Sequence, residues 1–465
     1  MLFLPLHALG VVLYIIGHRV SATLIFFFFL TDGFQLIPYP EVLFNTYMGI
    51  SKGIDLAFIY AFVLFLYGLW RYDDFLPKSL AAKLIFGYTG LLLLLSCISL
   101  FYYRIPVSEV LRTVRPFLLV YAYFPFRRLT SEQYEKVFLA LWWITLGLGV
   151  LFILQSITGF PILSNANSGG TVGIFTRFYN FPIYCWLFAF VSIFHPFPRD
   201  WRWRYLGITV CSMVVILGFS RAALAQYAAV ILFGWLLTRM SLRRILWIGI
   251  PTAIVAGGLF VVALGAIQGG RTMADFQRIM EGEIVETVEA EATAEFSIEE
   301  DNTLLFRLST LFERFLDVVS TPQSIVWGKG LSAESSPYTE SNFSYYLGLS
   351  NPDTGGILQV YNPDISWPSL LLRYGIVGTI IYLTGFFLLM GSFLYRSKAL
   401  FLYGLMLLFN SIASECLYWF TFILPLFIFF DRGVPSPVSG GGIIRKDAEI
   451  GSIAGGCESP LVKGT

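Results

Sequence analysis

Arginines offer this chain its most suggestive chemistry, and several stand where arginine is least welcome. The stretch VVILGFSRAALAQYAAVILFGWLL, residues 214–237, is apolar enough to cross a bilayer yet carries Arg221 within it. At mid-bilayer depth an arginine costs roughly 2.5–3.5 kcal/mol. Arg104, Arg112, Arg115, Arg177, Arg307, Arg314 and Lys329 also fall on the face that the loop charges described below leave poor in cations. Taken singly, each reads as a side chain snorkelling to headgroup level. As a set they suit an anionic ligand, because the planar guanidinium fork matches phosphate in bidentate fashion. A lipid-linked diphosphate would use several such forks, since it is both a bound ligand and a leaving group. Negative charge grows on it as its bond breaks, so fixed cations stabilise the transition state more than the ground state.

Other chemistries are disfavoured. Only three histidines occur (7, 18 and 195), none in the largest polar loop, which argues against a His-based triad or a zinc site. No GxxxxGK[ST] phosphate loop is present, so energy must arrive with the substrate. The five cysteines lack metal-ligand or disulfide-framework spacing. A formal net charge of +1 gives no basic face for nucleic acid.

The elements that must position these arginines are membrane helices. The 465 residues are 56% hydrophobic and 13% charged, about half the charge of a soluble domain. Apolar residues come in long runs. Spans fit at about 54–70, 83–103, 136–158, 180–197, 204–220, 222–239, 244–266 and 366–394, with two short ones in 399–431. Residues 115–126 read as a short, tilted or re-entrant piece. Residues 4–30 form either one span interrupted at His18-Arg19 or two short ones, and the first run reads as a retained helix. The expected architecture is an all-α, polytopic membrane helix bundle of about 12 transmembrane helices, or 13. It has nine spans over 1–266, a large non-cytoplasmic loop at 267–365 with amphipathic helices, three spans over 366–431, and a disordered cytoplasmic tail at 432–465.

Orientation follows from the loop charges. Arg71, Lys78 and Lys83, then Arg127, Arg128 and Lys136, then Arg199, Arg202 and Arg204, then Arg239, Arg243 and Arg244, and finally Arg396 and Lys398 share one face when spans alternate. That face is assigned to the cytoplasm. The opposite face takes the loops at 31–53, 104–115, 159–179 and 267–365. The last begins with nine acids and no base over 281–301, a solvated segment or a lid. It continues as TLLFRLSTLFERFLDVV, an amphipathic helix with Arg307 and Arg314 one heptad apart on one side, lying on the membrane or capping the bundle.

The order of these pieces resembles the O-antigen polymerase and O-antigen ligase superfamily of bacterial inner-membrane glycosyltransferases. GFSRA (218–222) resembles its Ser-Arg at the start of a central span, and LLFRLSTLF (304–312) its arginine helix in the large periplasmic loop. TPQSIVWGKGL (321–331) is similar to the following P, G-x-G segment, and PDISWPSLLLRYGIVGTIIYL (363–383) to the loop exit with its R-Y/F-G-I-x-G turn. GGTVGIFTRFYNFP (169–182) fits the smaller periplasmic loop. Ligases of the family carry His-Asn eleven residues before the first turn glycine; counting back from Gly375 gives Asp364, with Asn362 displaced by two positions and no histidine. That departure favours the polymerases.

The resemblance implies a cofactor-free, metal-independent transfer on the periplasmic side of the inner membrane. A growing glycan on undecaprenyl diphosphate is the donor, and a hydroxyl of another lipid-linked repeat unit the acceptor. It implies diphosphate binding by Arg221 and Arg307, with Arg177, Lys329, Arg314 and Arg115 as further candidates. Asp364 is either a base toward the acceptor hydroxyl or a helix N-cap. Tyr361, Asn362, Trp367 and Tyr374 lie at the loop exit, the aromatics reading either as sugar-stacking rings or as an interfacial belt. A flippase and a chain-length regulator would be partners alongside the bilayer. A ligase-like transferase and a transporter of an anionic lipid-linked substrate are the competing readings. The near absence of charge in the central spans speaks against the transporter.

Overall fold

The computed structural model describes residues 4–37, 53–218, 221–239, 304–334, 336–349, 356–362, 364–417 and 420–435. The expected span at 244–266, the acidic segment and the tail after 435 lie outside the described residues. The fold is that of an all-α membrane protein. Among the described residues five helices are long and apolar enough to cross a bilayer: Gly53–Arg71, Leu80–Phe101, Ser131–Thr158, Ala222–Arg239 and Ser366–Arg396.

The expectation of about 12 spanning helices is therefore not met by helix length among the described residues. Residues 4–30 split at Gly17-His18 into two 12-residue helices, Leu4–Ile15 and Arg19–Leu30. The run at 180–197 shortens to Cys185–Phe194, and that at 204–220 becomes Trp201–Leu217 with 17 residues. Residues 399–431 give Lys398–Asn410 and Phe420–Ile428. The piece at 115–126 is a 3-10 helix, Arg115–Ala122, running into Tyr123–Arg127. Hydropathy counts an apolar run whole, whereas glycine, proline and polar turns divide it.

Local chemistry sets the helix boundaries. Ser79 Oγ accepts from Ala82 N at 3.2 Å to start the Leu80–Phe101 helix. Thr130 and Gln133 form a reciprocal capping box for Ser131–Thr158, and Gly159 at φ 70 closes that helix in the left-handed region. Buried tyrosines staple helices together through backbone carbonyls: Tyr14 to Pro125 at 2.8 Å, Tyr88 to Tyr382 at 2.7 Å, Tyr382 to Leu417 at 2.6 Å and Tyr403 to Phe422 at 2.7 Å. Each satisfies a hydroxyl that hydrocarbon would leave without a partner.

Contacts sort the helix termini into two ends. At a basic end, Arg127 pairs with Asp431 at 2.8 Å, Arg128 with Asp74, and Arg19 donates to the Arg128 carbonyl at 2.6 Å. Lys398 donates to the Leu237 carbonyl at 3.2 Å at that same end. At the opposite end, Ser164 N donates to the Gln35 carbonyl at 2.8 Å and Leu331 N to Ser99 Oγ at 2.9 Å. Gln226 there reaches the Phe409 carbonyl at 3.0 Å, and Ser366 N the Ser411 carbonyl at 3.0 Å.

The described part of the large loop is built on this second end. We number its helices α1 (Leu304–Val319), α2 (Pro322–Trp327) and α3 (Pro337–Asn342), followed by α4 (Ser366–Arg396). Val318, Phe343, Val360 and Leu372 form a small core separate from that of the bundle. α4 is broken at Gly375 (φ 68, ψ −178). There α2 and the following turn press onto it: Lys329 N donates to the Leu372 carbonyl at 2.6 Å. A Cβ on Gly375 would lie 2.5 Å from Gly328 N and 2.8 Å from the Ile325 carbonyl oxygen. Gly328 is itself left-handed (φ 72). The two glycine motifs at 328–330 and 375 thus form one backbone-to-backbone joint. An antiparallel hairpin, β1 (Ser168–Val172) and β2 (Phe175–Phe178), occupies the smaller loop, pairing Ser168 with Phe178 and Thr171 with Thr176.

Candidate functional site

The loop exit and α1 bring two of the expected residues together. Arg307 Nη2 lies 3.8 Å from Asp364 Oδ2, both side chains about four-fifths buried. At that separation the two charges neutralise each other without a direct hydrogen bond. Arg307 Nε and Asp364 Oδ2 are buried without a hydrogen-bond partner.

Asp364 is positioned by its neighbours. Asn362 Oδ1 accepts from Asp364 N at 2.9 Å, and Asn362 N donates to Ser369 Oγ at 3.3 Å. The residue preceding α4 is Ile365, and no side chain caps the helix. The alternative of Asp364 as N-cap is thereby corrected: it stands one residue too early, and its carboxylate faces Arg307.

A polar turn at 411–417 holds the start of α4. Trp367 Nε1 donates to Ser411 Oγ at 3.1 Å, Ser366 Oγ to the Ser414 carbonyl at 2.8 Å, and Leu417 N to Ser366 Oγ at 3.2 Å. Tyr361 donates its hydroxyl to buried Glu415 in the same turn. Glu334 accepts from three successive amides, Gln359 at 2.5 Å, Val360 at 2.8 Å and Tyr361 at 2.7 Å. Glu334 and Glu415 were not among the residues singled out from sequence. No spacing rule ties either to the loop exit; for Glu415 alone, the polar residues at 410–415 that break the apolar run give a hint.

Arg221 opens the helix Arg221–Arg239. Its helix begins at the same end of the bundle, through the Gln226–Phe409 bond and the 411–417 turn just described. The remaining cations are occupied elsewhere. Arg314, 2% exposed, pairs with Glu313, donates to the Leu358 carbonyl at 3.2 Å and lies 4.4 Å from the Tyr345 ring centroid. Burial pushes the Arg314 pKa down and that of Tyr345 up, the latter helped by its hydrogen bond to Asp317. Lys329 holds Asp317 at 2.9 Å, and Arg115 holds buried Asp55 at 3.0 Å. Arg177, on β2, stacks on Tyr179 at 4.8 Å, with its Nε buried and lacking a hydrogen-bond partner. These four are not drawn into the Arg307–Asp364 pair.

Beside that pair runs an apolar groove of ≈ 290 Å³ between α1 and α4, lined by Leu308, Leu311, Phe312, Phe315, Trp367 and Leu371. Trp367 thus turns its indole N–H to the bundle and its ring to the groove. No protein-family model matches the chain, and no curated protein matches it.

Proposed function

We propose that the chain is a glycosyltransferase that polymerises oligosaccharide repeat units carried on a lipid diphosphate, at the non-cytoplasmic face of a bacterial inner membrane. The observation that carries this reading is the Arg307–Asp364 pair at the end of the bundle opposite the basic loops. A guanidinium for the leaving diphosphate and a carboxylate for the incoming hydroxyl are the two groups that glycosyl transfer from an activated donor uses.

Without donor, the two charges neutralise each other. A diphosphate that takes up the Arg307 fork displaces the carboxylate and leaves Asp364 with an uncommitted oxygen beside the anomeric carbon. The acceptor hydroxyl then attacks that carbon. A new C–O bond forms as the bond to the diphosphate oxygen breaks, the hydroxyl proton passes to Asp364, and the charge on the departing diphosphate stays on Arg307 and on Arg221. Glu334, Asn362 and the Tyr361–Glu415 bond hold Asp364 in place throughout. The shorter helices complete the membrane crossing beside the five long ones, with the basic end facing the cytoplasm.

The test is polymer length on a polysaccharide gel for Arg307→Ala, Arg221→Ala and Asp364→Asn, at matched protein level in the membrane. Loss of high-molecular-weight product in all three is expected. Wild-type length in Arg307→Ala and Arg221→Ala removes the diphosphate role, and full activity in Asp364→Asn removes the base.

A further inference from the structure

The helix Leu80–Phe101 starts at the basic end, where the Ser79 hydroxyl meets that of Tyr123 and Tyr123 donates to Asp431. Its 22 residues rise about 33 Å, just over a hydrocarbon core of roughly 30 Å. Phe101 and Tyr102, 81% and 63% exposed, therefore stand at the opposite interface. The chain turns there at Arg104, left-handed at φ 56, and runs on as the helix Val107–Val114. Val110 and Thr113 bury one side of that helix. Next around the helix, at 100° per residue, come Val107 and Leu111, both 59% exposed, and after them the exposed pair Ser108 and Arg112. Half-buried Glu109 completes the turn. An apolar strip beside a polar one suits a helix with hydrocarbon on one side and headgroups on the next. The other flank of this elbow carries the large loop. Tyr103 donates to the Gly328 carbonyl at 2.5 Å, and Ser99 Oγ accepts from Leu331 N at 2.9 Å. A Cβ on Gly330 would lie 2.6 Å from Ile105 Cδ1.

We propose that the elbow at 101–114 is an interfacial anchor that holds the large loop on the lipid surface. Val107 and Leu111 enter the leaflet at the end opposite the basic loops, Arg104 and Arg112 meet the lipid phosphates, and Tyr103 and Ser99 fix the loop at that height. The assignment needs only that the chain crosses a membrane, and it stands apart from the transferase reading. Height and charge together select the lipid surface as occupant. The elbow lies where a crossing helix leaves hydrocarbon, and its two arginines outnumber Glu109, Arg115 being committed to Asp55 at 3.0 Å. Held in this way, the loop cannot rise from the membrane without breaking the Tyr103 and Ser99 hydrogen bonds or drawing two apolar side chains into water.

Two measurements test this in the full-length protein in nanodiscs of phosphatidylethanolamine and phosphatidylglycerol. In the first, nitroxide labels are attached one at a time through Val107→Cys, Ser108→Cys and Leu111→Cys. The background carries Cys97→Ser and Cys457→Ser, the other three cysteines being buried. Collision with oxygen, which enters hydrocarbon, is compared with collision with a water-soluble nickel chelate. The oxygen-to-nickel ratio should be several-fold higher at 107 and 111 than at 108. Equal ratios at all three positions overturn the anchor. So does shielding of 107 and 111 from both reagents, the result that a protein partner or a second copy would give. The second measurement is amide exchange in peptides covering 328–331. Leu111→Glu and Val107→Glu should each speed it about tenfold, as expected when one apolar side chain loses its burial in lipid. Ser108→Glu, on the polar strip, should leave it unchanged. Unaltered exchange in both glutamate variants of the apolar strip, or an equal rise in Ser108→Glu, overturns the proposal.

Discussion

Arg307 and Arg314 sit one heptad apart on the same helix, and their surroundings divide them completely. Arg314 is enclosed, with an adjacent carboxylate, a backbone carbonyl and an aromatic ring around it. Glu313 in turn accepts from Tyr346 N at 2.8 Å and Leu347 N at 3.2 Å, so that end of α1 ties the loop into a folded unit. Among the described residues Arg307 has one counter-charge, at 3.8 Å, and an apolar groove lies beside it. A cation whose donors are already used holds a structure; one with donors to spare can hold a ligand. Residue type and heptad position carry no trace of that difference.

Substitutions that separate the two arginines sharpen the contrast or break it. The largest effect on stability is expected for Arg314→Ala, which strands Glu313 and should cost roughly 3–5 kcal/mol, read as a lowered thermal midpoint and protease cleavage within 304–362. Arg307→Ala should leave that midpoint in place and reduce transfer by roughly 10²–10³-fold, as for loss of one preorganised donor to a developing anion. If Arg307→Ala unfolds the loop and Arg314→Ala only slows turnover, the division is reversed. Gly375→Ala falls between, costing about 1–3 kcal/mol in backbone strain before the contact with Gly328 is counted. Smallest is the basic end, where the hydrogen bond from Arg128 holds the exposed Asp74 carboxyl below its ordinary pKa. A depressed pKa contributes stability above the ordinary carboxylate value, and that contribution is lost as pH falls through the folded pKa. Asp74→Asn should therefore leave the midpoint nearly unchanged at neutral pH and slightly reduce its decline in acid.

Much of the helical class and part of the site could be read from residue order. Long apolar runs give membrane helices directly, because hydrocarbon admits few other structures. The kink at Gly375 and the turn at Gly328–Gly330 were visible as separate motifs, but their mutual contact is a tertiary fact. The juxtaposition of Arg307 with Asp364, 57 residues apart in the chain, was likewise beyond spacing rules. Helix length falls short of the apolar run at 180–197, where the helix is only Cys185–Phe194, whereas the two short helices within 4–30 match one of the two readings of that stretch. Glu334 and Glu415 escaped because a carboxylate that grips backbone amides or a phenol carries no sequence pattern. Arg314 was grouped with Arg307 for its type alone, and only burial shows how different its surroundings are.

The glycine joint also has a consequence for where the large loop ends. Leu372 belongs to the loop's small core with Val318, Phe343 and Val360, and Leu371 packs against it. The first nine residues of α4 therefore belong mechanically to the loop, and the membrane segment proper starts after Gly375. A soluble fragment cut at residue 365 would leave its own hydrophobic centre behind, whereas one carried through Tyr374 takes that centre with it.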